Sequence, residues 1–582
     1  MSRRLALVTV GAVLVAAVSS GCVGMPTSGP VRDTDTSGGS SDADAPAIDV
    51  EPPPPQAPPA DIAKGFMDAM AGWPIQIGVA RQYLSEDAAA AWNPTEATIT
   101  FEAALPPVVS GNVATIELFQ AERLSASGAW AGDVPVSEQE LHLGMRFEDG
   151  QYRITNPPDA LIVPADWFAQ RFTQLSLYFF DPTGRILVPE PVFVPRGDQL
   201  ASTLIDRLLD PGDELNGIVR SYLPSVDAGL SVPVTEQGVA EIDFGGSNAA
   251  PPDPDDPDLA KMLAQLGWTL RQVPGIRALR VSIGGQEVRP PGSDGQYSIT
   301  EGSQYDPAVS DAAPLRYALQ DGRVVHDEGD AIAPVPGPFG EEGDHGLRAV
   351  SVSLDGSTAV GVSDDGTALV SAPLSDQPGK RERTIYDGGT ALLSPAWDYT
   401  GRLWVVDNTS DGARVSYRER RRLIPVRVPD VSGRRVKSFL VSRDGTRFVA
   451  VVKAANGDDQ VRAGRIRHDE QGEVTGAGPT RVIPVKDVQR PMITDIAWTS
   501  PTSILVVRPI SGETSEVSTV PVDGAPTESL SVSVSGRVVA LAAAPDGTST
   551  PYAVTREGLV DLDTGTLTSY LGSPLLSVTY VG

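Results

Sequence analysis

The chain has 582 residues, 41% of them hydrophobic and 6% aromatic, and a formal net charge of −29 at pH 7. So acidic a chain repels phosphate backbones and anionic lipid surfaces, which excludes nucleic-acid binding and a basic, membrane-hugging face as principal roles. The length calls for three or four domains, because single cores stop growing at about 250–300 residues, and 58 Gly with 51 Pro point to short strands joined by many turns.

Residues 1–21 read as a signal peptide. Met1-Ser2-Arg3-Arg4 is the basic end, Leu5 to Val18 carries no charge, and Ser19-Ser20-Gly21 offers small residues to a peptidase. The apolar stretch falls short of the ~20 residues a comfortable membrane span needs, so removal is expected. Cys22 follows directly and is the only cysteine of the chain, which rules out an internal disulfide. Small residues running into Cys22 resemble a lipobox, with Ser19 where such motifs usually carry Leu. The resemblance implies a diacylglyceryl group on the Cys22 thiol and cleavage just before it. Two or three acyl chains at about 0.8 kcal/mol per buried methylene would anchor the chain permanently on the outer face of the cytoplasmic membrane. Arg3-Arg4 leaves Sec and twin-arginine export both open.

Residues 22–60 are dominated by Pro, Ser, Gly, Asp and Thr, including the run Pro52 to Pro55. Such a composition cannot bury enough apolar surface to fold, so the expectation is an extended acidic tether. Residues 61–170 begin with Ile62, Phe66, Met67 and Met70 at helical spacing, continue after Gly72 to Pro74 with Val79, Tyr83 and Leu84, and turn strand-like from Ala97 onward. A helical hairpin followed by a curved antiparallel sheet is an α+β arrangement, and it resembles the nuclear-transport-factor-like cone. His142 is the one conspicuous polar candidate in that cone; on a strand and alone, it reads as structural.

Residues 171–289 predict a second α+β domain. A strand from Leu175 to Phe180 ends at Asp181-Pro182-Thr183-Gly184, and another runs from Leu187 to Val194. A helix from about Asp198 carries Leu200, Leu204 and Leu208 four apart. A strand follows from Val239 to Phe244, and a second helix is expected with Asp258 as its N-cap and Leu259, Met262, Leu263, Leu266 and Leu270 on its apolar face. The order resembles a GerMN domain. Asp253, Asp255, Asp256 and Asp258 lie among prolines that stiffen the loop against a calcium register, so they read as an acidic loop leading into the helix rather than a metal site.

After a linker at residues 290–311, residues 312–582 repeat. Strand–turn–strand units turn at Gly356, Gly401, Gly445, Thr502 and Gly547, at intervals of 45, 44, 57 and 45 residues, the long one holding an insertion around Asn456 to Gly478. A period near 45 is that of a β-propeller blade. Arg316 to Gly322 matches the second strand of the last unit, Pro551 to Gly558, while the terminal Leu575 to Val581 matches a first strand such as Leu392 to Trp397. Pairing the two ends would close the ring and remove both edges, giving six blades.

The expected architecture is therefore multi-domain: an α+β nuclear-transport-factor-like domain, an α+β GerMN domain and an all-β six-bladed propeller. Taken as a whole, the order of lipobox, tether and these three domains resembles the actinobacterial LpqB lipoprotein family. The resemblance implies an accessory to the MtrA/MtrB two-component system, with the extracytoplasmic sensor region of the histidine kinase MtrB as partner and envelope homeostasis and cell division as the process modulated. No Gly-x-Ser-x-Gly elbow occurs, and His142, His326, His345 and His468 lack metal-like spacing. No enzyme, metal or cofactor is expected, and Cys22 is the one assigned site. Binding of a cell-wall glycan or a small ligand stays open, as does an envelope hydrolase with paired carboxylates, whose separation is invisible in sequence.

Overall fold

The computed structural model describes residues 48–582 except 76, 226–229, 246–252, 254–255, 291–294, 309–314, 329–330, 377–380, 486–491, 527–530 and 571. The first domain starts earlier than the sequence implies. Residues 48–58, expected as the end of the tether, lie on it: Ile48 bridges Trp73, Tyr83 Oη donates to the Glu51 carbonyl at 2.9 Å, and Ala57 is buried. Helix Pro59–Met70 buries Ile62, Phe66 and Met70 of the expected stripe, with Met67 partly buried and Ala63 and Ala69 added, and the proline at its first turn forfeits no hydrogen bond there. Two short helices follow, Ile77–Arg81 and Glu86–Ala91. They pack against two sheets, one built on Ala97–Phe101 between Glu122–Ser125 and Leu161–Pro164, the other on the long pair Val113–Phe119 and Glu140–Glu148. Phe66 and Trp92 meet at the centre of the core.

No loop separates the first domain from the second. Helix Ala165–Arg171 runs directly into strand Phe172–Phe180, which pairs along its whole length with Leu187–Pro195. Helix Leu200–Leu209 buries Ala201, Leu204, Ile205 and Leu208, and each fully buried leucine contributes about 1.5–3 kcal/mol of transfer free energy. Val239–Phe244 and Ala278–Ile283 pair in parallel, joined by helix Pro257–Leu270. That helix is capped by Asp256, whose carboxylate accepts the Asp258 N–H at 2.9 Å, and not by Asp258. Pro257 is the reason: a residue without an N–H is well suited to the first helical position, so the cap falls one residue before it. Residues 297–302, within the stretch expected as a linker at 290–311, also belong to this domain: Tyr297–Ser298 pairs with Ala278–Ile283, and the Gly302 carbonyl accepts the Trp268 indole N–H at 3.1 Å.

From Tyr317 onward the described residues form six sheets of four or five strands, each running antiparallel in chain order. The exception to chain order is the first: Leu576–Thr579, near the end of the chain, pairs with Tyr317–Gln320, aligning Thr579 with Tyr317. Four of the five turns that carry the repeat share an aspartate that accepts a backbone N–H and a left-handed glycine. Asp355, Asp398, Asp444 and Asp546 each accept the backbone N–H two residues on, at 2.8–3.0 Å. Gly356, Gly401, Gly445 and Gly547 take the left-handed φ that such a turn requires. Every adjacent pair of sheets encloses its own apolar cluster, and the last and first sheets do so too, through Ala542, Val554, Ala318, Val325 and Val578. The insertion at 456–478 lengthens one sheet: Asp459–His468 is extended and carries Val474–Ala477 beside it.

Candidate functional site

The second domain and the repeat meet through the Asp181-Pro182-Thr183-Gly184 turn. Asp181, 2% exposed, accepts the N–H groups of Thr183, Arg185 and Ile186 at 2.7–2.9 Å. Its second oxygen accepts from the Tyr399 hydroxyl, which lies 3.1 Å from Thr183 Oγ1. Burial, reinforced by the Asp181 charge, pushes the Tyr399 phenol far above its ordinary range, so it stays a donor. Gly184 has φ +68, where a side chain is strained, and a Cβ there would also displace the Tyr222 hydroxyl, 2.0 Å away.

A second contact is ionic. Glu190, on strand Leu187–Pro195, sits 3.0 Å from Arg447 Nη2 and also pairs with Arg465; Arg447 in turn donates to the Pro189 carbonyl. The side chains of Arg447 and Glu190 are 4% and 8% exposed. Burial, with Arg465 nearby, holds the Arg447 guanidinium below its usual range. Such a triad contributes little beyond an apolar contact of equal volume, but removing one member leaves a charge stranded in a dry site.

The first domain joins the same place. Arg481 donates to the Trp130 carbonyl at 2.5 Å and to the Asp523 carbonyl at 3.1 Å, while Gln174 Nε2 reaches Asp523 Oδ2 at 2.7 Å. Burial raises the Asp523 carboxyl, against the pull of the Ala525 N–H and Arg481. Between the three domains lies a cavity of about 280 Å³ lined by Trp130, Glu190, Arg447, Arg465, Arg481 and Asp523 among others. A second cavity, about 330 Å³, lies between the first strands of the sheets and is lined by Arg348, Lys437, Asp495 and Trp498. Burial pushes the Asp495 carboxyl up, although Leu541 N–H and Ser438 Oγ donate to it at 3.0 Å each.

The residues singled out from sequence are scattered. Cys22 lies outside the described residues. His142 is exposed on strand Glu140–Glu148, 3.2 Å from Thr115 Oγ1 and on no cavity described above. His326 stacks on Tyr317, His345 pairs with Glu382, and His468 is buried with its pKa lowered by burial and by Arg402. Asp256 is a helix cap and Asp255 lies outside the described residues; among the described residues no three or more His, Cys, Asp or Glu side chains are grouped to hold a metal. No helix among them is long and apolar enough to cross a membrane. The docking residues Glu190, Arg447 and Arg465 carry no sequence signal, because they meet across more than 250 positions; Asp181, Asp444 and the residues beside Tyr399 were legible only as turns.

Three family descriptions match this chain in succession: "Lipoprotein LpqB, N-terminal domain" over residues 52–169, "Sporulation and spore germination" (Germane) over 176–289, and "Lipoprotein LpqB beta-propeller domain" over 322–565. The chain belongs to the LpqB lipoprotein family. Its domains are thus an LpqB N-terminal domain, a GerMN-type domain and a β-propeller domain. Among LpqB relatives, that of Thermobifida fusca (strain YX) is 28% identical over 83% of this chain and 84% of its own length. That of Streptomyces avermitilis is 28% identical over 96% of this chain and 95% of its own. The first GerMN domain of the sporulation protein GerM from Bacillus subtilis is 23% identical over 22% of this chain and 95% of that structure, with a TM-score of 0.18.

Proposed function

We propose that this LpqB-family lipoprotein is cleaved ahead of Cys22, lipidated there, and held on the outer face of the cytoplasmic membrane. There it binds the sensor region of the histidine kinase MtrB and modulates two-component signalling in envelope homeostasis and cell division. It acts by binding, not by catalysis. Its first domain, residues 61–170 with the packed segment before it, is a nuclear-transport-factor-like cone, and its propeller is a ring of six blades closed by the C-terminal strand.

The observation that supports this reading is the docking of the three domains. Tyr399 on Asp181, Arg447 and Arg465 on Glu190, and Arg481 on Trp130 tie the propeller to both preceding domains. A partner therefore meets one surface of fixed shape at the end of a tether, which suits the modulation of a neighbouring membrane receptor. The reading is tested by adding the soluble mature region to the kinase ectodomain in pull-down, and the lipidated protein to the kinase in proteoliposomes. Retention of the ectodomain and altered autophosphorylation are expected, with Cys22→Ala leaving the first intact and losing the second. If the mature region neither binds the ectodomain nor changes autophosphorylation, the reading fails.

A further inference from the structure

Four arginines converge on a cleft of about 480 Å³ between the sheet Leu347–Asp387 and the sheet Ala396–Val426 of the propeller: Arg381, Arg383, Arg418 and Arg420. The remaining lining is Trp397, Ser371, Thr358 and small or aliphatic groups, with no carboxylate. In a chain of net charge −29 that is an unusual concentration. Among the described residues, none of the four guanidinium groups has an ion-pair partner or a hydrogen bond, unlike Arg447 and Arg465 at the domain junction.

Three details point to a ligand. Arg418 Nε and the Trp397 indole N–H are both buried without an acceptor, and an unsatisfied buried donor costs about 1–3 kcal/mol unless something fills it. Arg418 lies close enough to Arg383 and Arg421 for their charges, added to its burial, to lower its pKa. Like charges held together without a counter-ion oppose folding, and the arrangement is relieved by an anion. Finally, Arg420 occupies a left-handed φ of 52° in the turn between Gly412–Glu419 and Arg422–Val426, where Gly or Asn fits without strain; a long cation is kept there at a backbone cost of about 1 kcal/mol or more.

We propose that this cleft binds a phosphate group, with the guanidinium forks of Arg383, Arg418 and Arg420 on its oxygens and the body of the ligand lying toward Trp397. Planar forks match phosphate oxygens two at a time, and several forks from different strands suit a group that presents three oxygens at once. The cleft is larger than phosphate alone, so the ligand carries more than the anion. A soluble phosphorylated molecule and an anionic lipid headgroup share this chemistry.

The test uses the soluble mature chain, residues 23–582, with pyrophosphate as probe in calorimetry, and with sedimentation of phosphatidylglycerol vesicles against phosphatidylcholine vesicles. Pyrophosphate is expected to bind more weakly as salt rises. Arg383→Gln/Arg418→Gln should weaken binding at least ~10-fold, the loss of one or two charge-assisted hydrogen bonds. Arg414→Gln/Arg427→Gln, which removes the same charge from exposed positions outside the cleft, should change it less than ~2-fold. Trp397→Phe, which keeps the ring but removes the unsatisfied donor, should weaken it by a smaller factor. Cleft-dependent sedimentation with phosphatidylglycerol vesicles would name the headgroup as the source, and pyrophosphate binding without it a soluble ligand. No binding of either probe, or equal loss in the cleft and control variants of unchanged melting temperature, overturns the proposal.

Discussion

The propeller carries two groups of arginines near the ends of its strands, and they are opposites. Arg447 and Arg465 meet Glu190 in a dry seat where little of either Arg447 or Glu190 reaches water, so their charges are consumed in holding domains together. Arg383, Arg418 and Arg420, one sheet away, face a cleft without any carboxylate and have no partner among the described residues. The domain junction nevertheless reaches the cleft, since Tyr399, which holds Asp181, stands two residues before Gly401 on the cleft wall. The same residue type is structural where its counter-ion is built into the fold and is available for recognition where that counter-ion is left out.

The difference is open to measurement. The largest effect is expected from Arg447→Met, which leaves Glu190 buried with only the more exposed Arg465: a loss of about 3 kcal/mol in urea unfolding of the docked unit, partly restored by Arg447→Met/Glu190→Met. If Arg447→Met were no more disruptive than a change in the cleft, the contrast between the two groups would collapse. A smaller effect should come from an anion buried without a cation. Burial, with Asp133 and Glu102 beside it, raises the Glu122 carboxyl to about 7. The folded chain then binds a proton that the unfolded chain has released between about pH 4.5 and 7, so this group's stability is full below that window and is lost as pH rises through it. Glu122→Gln should therefore be more stable than the parent at pH 8, by on the order of 1 kcal/mol once screening at this half-buried site is allowed for, and equal to it at pH 4.5. A constant difference across that range would contradict the assignment. The smallest effect belongs to Arg418→Gln, where relief of repulsion from Arg383 should leave melting unchanged or raise stability by no more than about 0.5 kcal/mol.

Elements whose code is local were legible in the sequence. Leucines four apart at 200, 204 and 208 marked the helix face of which the fold buries Leu204 and Leu208, and the recurring turns marked the repeat because in most of them one aspartate and one left-handed glycine suffice. The match between the two ends of the repeat also had a local signature, and Tyr317–Gln320 pairs with Leu576–Thr579 as the alternation of missing and spare strands requires. What escaped was set by contacts distant in sequence. Residues 48–58 and 297–305 look like linker by composition but are held by partners distant in sequence, Glu51 by Tyr83 and Gly302 by Trp268 among them. The arginine cleft gathers side chains from two sheets, and its charge is submerged in the acidic total, so no window of sequence displays it.

The closing strand fixes the order of events during synthesis. Leu319 and Leu576 are neighbours in one sheet but 257 positions apart, so the first sheet lacks its fourth strand until nearly the whole chain has been made. The two leading domains can fold as they emerge, each around its own core, while the propeller waits with an unpaired edge exposed at either end. Their seats for Arg447 and Tyr399 are then in place beforehand, so the half-built propeller has a surface to settle on before its last few residues arrive to seal it.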